Sequence, residues 1–243
     1  MHPDKAFHLY LLIGQSNMAG RGEVAPQDQQ THPRVFALDR DCQWSPAADP
    51  IHFDKPIARV GPGLTFGKSM AEHAPSVRIG LIPCAAGGSP ITVWRHGCYW
   101  DQTNSAPYDN AIHRARLAMT QGALKGILWH QGESDSKENE AELYEGRLVS
   151  LINTCRGDLG MADVPFVVGT LGDFFDQPEA RLVNAALRRI PQRVRRTACV
   201  ESTGLGHLGD RLHFSAEAAR EMGRRYAQAM LGLGDKESIQ ATR

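Results

Sequence analysis

The strongest constraint on this chain is a recurring pattern of hydrophobicity. Short apolar runs stand at 9–13, 77–82, 126–129 and 166–170, with a weaker one at 199–200, and segments of helical spacing lie between them. Runs this short and this continuously apolar suit strands buried on both faces, as in a parallel sheet. The intervening segments, 64–73, 110–121, 138–155, 179–190 and 216–231, repeat apolar residues three and four apart. Over 110–121, for example, Ile112, Ala115, Leu117, Ala118 and Met119 are available for a buried face. Ser215 stands where a helix N-cap belongs, ahead of the last segment. This alternation predicts an α/β fold, doubly wound with right-handed crossovers around a central parallel sheet of about five strands.

The 243 residues are enough for one substantial domain, expected over 6–233, with a polar flexible tail over 234–243. The loops at about 20–62 and 84–109 are long enough to expect function in them. Ligands of open α/β sheets sit beyond the carboxyl ends of the strands. The 27 basic and 27 acidic residues cancel, which argues against a nucleic-acid or acidic-membrane partner. The basic cluster Arg188-Arg189 and Arg193 to Arg196 reads as a solvated helix end. Five cysteines with no Cys-x-x-Cys suggest neither a disulfide framework nor a zinc ribbon. No apolar run approaches the roughly 18 residues that cross a bilayer. The expectation is a soluble protein, cytoplasmic as given, or secreted or periplasmic if a leader has been removed.

Four segments carry chemical interest. Gly14-Gln15-Ser16-Asn17-Met18-Ala19-Gly20 follows the first apolar run, so Ser16 is presented in a tight turn at a strand's carboxyl end. Backbone N–H groups just after such a strand suit a developing oxyanion. Met18 rules out the Gly-x-Ser-x-Gly elbow. Pro83-Cys84-Ala85-Ala86-Gly87-Gly88-Ser89 follows the second run, and its small residues permit close backbone approach, with Gly87 or Gly88 able to donate an N–H. Trp129-His130-Gln131-Gly132-Glu133-Ser134-Asp135 follows the third; Gln131 offers uncharged donors, and Glu133 a carboxylate able to orient a histidine. Gly209-Asp210-Arg211-Leu212-His213 precedes the last helical segment, and His207 nearby is a competing histidine. In a serine triad the histidine takes the hydroxyl proton, and a carboxylate fixes its tautomer. There is no phosphate-binding loop and no His-Glu-x-x-His pair, and no convincing dinucleotide fingerprint.

In this order, the segments resemble the SGNH hydrolase superfamily. The closer likeness is to the branch that holds sialate O-acetylesterase-like proteins and the acetylxylan esterases of carbohydrate esterase family six. The matching blocks are 14–20, Gly87-Gly88-Ser89, 129–135 and Asp210-Arg211-Leu212-His213, together spanning most of the chain. The resemblance implies a flavodoxin-like three-layer α/β/α sandwich and a serine carboxylesterase that removes O-acetyl groups from carbohydrate without a metal or organic cofactor. Ser16 would be the nucleophile and His213 the base. The oxyanion hole would comprise the Ser16 N–H, one glycine of the pair, Gly88 being preferred, and Gln131. Asp210 follows the superfamily pattern for the orienting acid, while Glu133 could supplement or replace it. The aromatic cluster after Gly88 would form the substrate rim, with Trp94 and Trp100 against sugar rings and Arg95 toward a carboxylate. Acetylated xylan or related sugars would be the substrate. Sialate O-acetyl esters, longer acyl esters or thioesters, and a non-catalytic carbohydrate-binding role are the alternatives.

Overall fold

Side chains along β1 (Asp4–Gly14) alternate between two hydrophobic clusters. Leu9, Leu11 and Ile13 enter one; Tyr10 and Leu12 enter the other. A strand with a core on each face must be central, which is why its sequence is continuously apolar. This computed structural model describes residues 3–240, with side chains through Gly234. After β1 come α1 (Ser16–Ala19), β2 (Val35–Leu38), β3 (Trp44–Pro46), α2 (Pro62–His73), β4 (Arg78–Pro83), α3 (Pro107–Met119) and β5 (Gly122–His130). Then follow α4 (Tyr144–Leu159), β6 (Phe166–Gly169), α5 (Ala180–Arg193), β7 (Thr197–Val200) and α6 (Ala216–Gln240).

The seven strands lie in the order β3-β2-β4-β1-β5-β6-β7, all parallel except β3, which is antiparallel to β2 at the edge. Helices α3, α4 and α5 cover one face through Ile112, Leu148, Leu151 and Leu187. Helices α2 and α6 cover the other through Phe66, Met70, Met222 and Tyr226. The result is the expected three-layer α/β/α sandwich. Its five central strands take the flavodoxin-like arrangement, with β1 between β4 and β5. The sheet is larger than expected because the loop assigned to 20–62 contains β2 and β3. These strands have four and three residues, too few to show a period.

Two further expectations shift. Helix α6 continues beyond Leu231 to Gln240, so part of the tail expected over 234–243 has helical backbone. Extending an existing helix costs far less than nucleating one. Residues 241–243 lie outside those described. Helix α5 passes through Pro191, a position in its last turn where the lost hydrogen bond disrupts little. The arginines there meet carboxylates, Arg188 on Glu201 and both Arg189 and Arg193 on Glu145. All five cysteines are free thiols. No described helix is long and apolar enough to cross a membrane.

The sheet reverses its winding direction between β1 and β5, the place where open α/β sheets form a crevice. These strands end in register, Gly14 opposite His130. Gly14 has φ +134°, and a Cβ there would stand 2.1 Å from the His130 carbonyl oxygen. Only glycine allows this approach. Beyond it the chain turns into the Ser16 segment on one side and the Gln131 segment on the other.

Candidate active site

Past Gly14, the Gln15 N–H donates to the His130 carbonyl at 2.9 Å, tying the start of the serine turn to the end of β5. The Gln15 carbonyl then accepts from the N–H groups of Met18 and Ala19, both at 3.0 Å. Met18 and Ala19 are fully buried, so the turn is anchored from below. Ser16 opens it, at a position where a helical turn has no internal partner for its N–H.

His213 reaches this serine from the loop before α6. Its Nε2 lies 3.0 Å from Ser16 Oγ, and its Nδ1 lies 2.6 Å from Asp210 Oδ2. An ionised carboxylate only accepts, so Asp210 places the proton on Nδ1 and leaves Nε2 free to accept from the serine hydroxyl. The other Asp210 oxygen accepts from the N–H groups of Leu212 and His213, each at 2.9 Å. The loop wraps around its own carboxylate, helped by positive φ at Gly209 (108°) and Arg211 (55°). Partial burial works against ionisation of Asp210, but the two backbone donors and the histidine ring outweigh it and hold the carboxyl below its usual range. His207 is occupied elsewhere: its Nδ1 accepts from the N–H groups of Gly209 and Arg211.

Glu133 has a different setting. It is buried beside the serine turn and accepts from Asn17 Nδ2 through one carboxylate oxygen; the other oxygen is buried with no partner among the described residues. Burial pushes its carboxyl up to about 7, more than the Asn17 hydrogen bond lowers it. The His213 ring nitrogens are taken by Asp210 and Ser16, so the orienting contact in this structure is made by Asp210.

The turns after β4 and β5 form the opposite wall. The Gly87 N–H is committed to Asp54 Oδ2 at 2.9 Å, and that carboxylate also forms a buried ion pair with Arg21 at 2.8 Å. Gly88 has φ +79° and lines the pocket; its N–H makes no hydrogen bond among the described residues. Its carbonyl accepts from Ser134 Oγ at 2.9 Å.

Gln131 requires a correction. It is wholly buried and does not line the pocket. Its Nε2 faces three acceptors, Gln15 Oε1 at 3.1 Å, the Ser89 carbonyl at 3.0 Å and Asp135 Oδ2 at 2.6 Å. Two amide hydrogens are already outnumbered, and none remains for an oxyanion. Gln15 does line the pocket. Gln131 and the Ser134 N–H both point at its Oε1, which fixes the amide's sense. Its Nε2 has no partner among the described residues and is not closed off from solvent.

The expected rim is also corrected. Trp94 is buried, donates to Ser89 Oγ at 2.9 Å and packs edge-on against Trp129 at 5.2 Å. Trp100 is half-buried and donates to the Gly87 carbonyl at 3.1 Å. Arg95 is exposed and turns to Cys98 Sγ. None of the three lines the pocket: the loop folds the two indole rings onto the domain, and Arg95 points to solvent beside Cys98. The actual pocket, of about 460 Å³, has Ser16, Gly88 and His213 in its wall together with Lys55, Lys137 and Phe175. Gln15 and Asn17 escaped sequence reasoning although they flank Ser16 in the same block. The only signal was that both are polar amides in a turn otherwise destined for burial.

A family model described as carbohydrate esterase, sialic acid-specific acetylesterase matches residues 6–232. The chain is similar to a probable carbohydrate esterase of Arabidopsis thaliana, 29% identical over 247 residues, covering 92% of this chain and 90% of that one. The X-ray structure of that protein superposes with a TM-score of 0.83 over 94% of this chain and 99% of its own. A segment of 92 residues is 33% identical to sialate O-acetylesterase of Homo sapiens, covering 32% of this chain and 17% of that protein. A carbohydrate acetylesterase from Xanthomonas citri shares the fold, with a TM-score of 0.71 at 22% identity, over 92% of this chain and 55% of that one. The chain belongs to the carbohydrate esterase, sialic acid-specific acetylesterase family, and it is a carboxylic ester hydrolase.

Proposed function

We propose that this member of the family is a serine esterase that removes O-acetyl groups from carbohydrate, such as acetylated xylan or related acetylated sugars. The observation that carries the reading is the 3.0 Å approach of His213 Nε2 to Ser16 Oγ in the pocket wall. Ser16 Oγ attacks the acetyl carbonyl while its proton passes to His213 Nε2. Asp210 stabilises the resulting imidazolium through Nδ1. The oxyanion is held by the N–H groups of Ser16 and Gly88, with Gln15 Nε2 as a third donor that Gln131 keeps in orientation. Collapse of the tetrahedral adduct breaks the bond to the sugar oxygen, which takes the proton from His213. Water, deprotonated by the same ring, then attacks the acetyl-serine and releases acetate.

Ser16→Ala is expected to abolish hydrolysis of p-nitrophenyl acetate above background. Normal turnover by the variant would remove this mechanism. The pocket wall also favours a second substrate reading. Lys55 and Lys137 stand there, the Arg21 charge being met by buried Asp54, and Glu133 is the one carboxylate among the lining residues. Such a wall suits an acetylated sugar that carries a carboxylate, as a sialic acid does. Release of acetate from acetylated xylan, O-acetylated sialic acid, neutral sugar acetates and long-chain acyl esters separates these readings. Exclusive activity on long acyl chains would exclude both.

A further inference from the structure

We propose that Asn17 and Glu133 are a positioning pair for the histidine loop: the Glu133 carboxyl holds the Asn17 amide, and that amide grips the backbone on both sides of His213. The inference rests on the reading of Ser16 and His213 as nucleophile and base.

Asn17 is the residue after the serine and shares its anchored turn. One Nδ2 hydrogen meets Glu133 Oε1, and the other meets the Leu212 carbonyl at 3.0 Å. Oδ1 accepts from the Phe214 N–H at 3.1 Å. Residues 212 and 214 are the immediate neighbours of His213, so one buried side chain fixes the backbone entering and leaving the histidine. Nothing else described links the serine turn to the backbone beside His213. The other bonds to the backbone at and beside His213, from the Leu212 and His213 N–H groups to Asp210 and from the Leu208 N–H to the His213 carbonyl, lie within the loop itself.

Glu133 sets which way the amide points. Reversing the amide would bring its oxygen against the Leu212 carbonyl and the Glu133 carboxyl, both acceptors, and its nitrogen against the Phe214 N–H donor. The role asks for an acceptor at Oε1 and makes no demand for charge. An orienting acid for His213 would need the charge to stabilise the imidazolium. The two roles therefore predict different behaviour for the uncharged isostere, since a glutamine at 133 still offers an amide oxygen to Asn17.

The test is the rate at which a fluorophosphonate labels Ser16, with kcat and KM for p-nitrophenyl acetate, in variants shown by circular dichroism to be folded. Glu133→Ala and Asn17→Asp are expected to lose about 10²-fold in labelling rate and kcat with little change in KM, because a misplaced base costs roughly that much. Glu133→Gln is expected to stay within several-fold of the parent. Loss in Glu133→Gln equal to that in Glu133→Ala would overturn the inference, and so would parental labelling in both Glu133→Ala and Asn17→Asp. If one of these variants does not fold, the other still decides. His213→Ala separates this failure from failure of the underlying reading: an active His213→Ala removes the base itself, whereas an inactive one leaves the pair as the only point in question.

Discussion

Two acidic side chains approach the serine turn, and their surroundings push them in opposite directions. Asp210 lies on a partly exposed loop, ringed by its own backbone donors, and is held ionised. Glu133 lies in a buried turn after β5, has one oxygen with no partner among the described residues, and is held toward its neutral form. The first suits a steady negative charge under an imidazolium. The second suits a fixed hydrogen-bond acceptor. Residue type does not separate them; solvation and donor supply do.

Exchanging one of these carboxyls for its amide is the most direct way to break the contrast. Asp210→Asn is expected to lower kcat by about 10⁴, with secondary structure retained by circular dichroism, because the histidine would adopt the wrong tautomer. A loss there no larger than that of Glu133→Gln would erase the distinction between the two acids. The buried turn is next. Gln15→Ala is expected to cost on the order of 10²–10³ in kcat as an oxyanion donor is removed. Gln131 does not reach the pocket, so its replacement acts through the groups it holds, Gln15 and the Ser89 carbonyl beside Gly88; an effect of Gln131→Ala that survives unchanged in the Gln15→Ala background would show that Gln15 is not the route.

The smallest effect concerns stability and has a definite sign. Glu133 binds its proton more tightly folded than unfolded, so its contribution is present at acid pH and is lost as pH rises through about 7. Glu133→Gln lacks this loss. Its Tm relative to the parent should therefore rise between pH 5 and pH 8, by up to several degrees, corresponding to on the order of 3 kcal/mol. A difference in Tm that is flat with pH would mean that Glu133 is not held neutral by burial.

The architecture was legible where a period could express itself. The alternation of Leu9, Leu11 and Ile13 against Tyr10 and Leu12 needs a core on both faces, and the five central strands follow from runs of that kind. β2 and β3 were not legible because so few residues cannot display a period. In the candidate site, the structure brings together Ser16, Asp210 and His213, which the order of the motifs along the chain and the family resemblance had singled out; each motif alone is a weak signal. Gln131, Trp94 and Trp100 were misjudged for one shared reason: whether a polar or aromatic side chain turns toward a pocket or into the packing is decided by neighbours distant in sequence. Gln131 turns to Gln15 and Asp135, and Trp94 turns to Ser89 and Trp129. Asn17 was hidden by the same limit, since its partners lie 116 and 195 residues away.

The contact between Ser16 and His213 joins positions 197 residues apart. During synthesis the serine turn leaves the ribosome with β1, while His213, the proposed base, emerges only after the rest of the sheet. On the proposed mechanism, a nascent chain that ends before the 210–213 loop has the nucleophile without its base. Recovery of esterase turnover during refolding is therefore expected to require this long-range contact in addition to the central strands. A lag between the return of secondary structure and the return of hydrolysis is the kinetic signature of that separation.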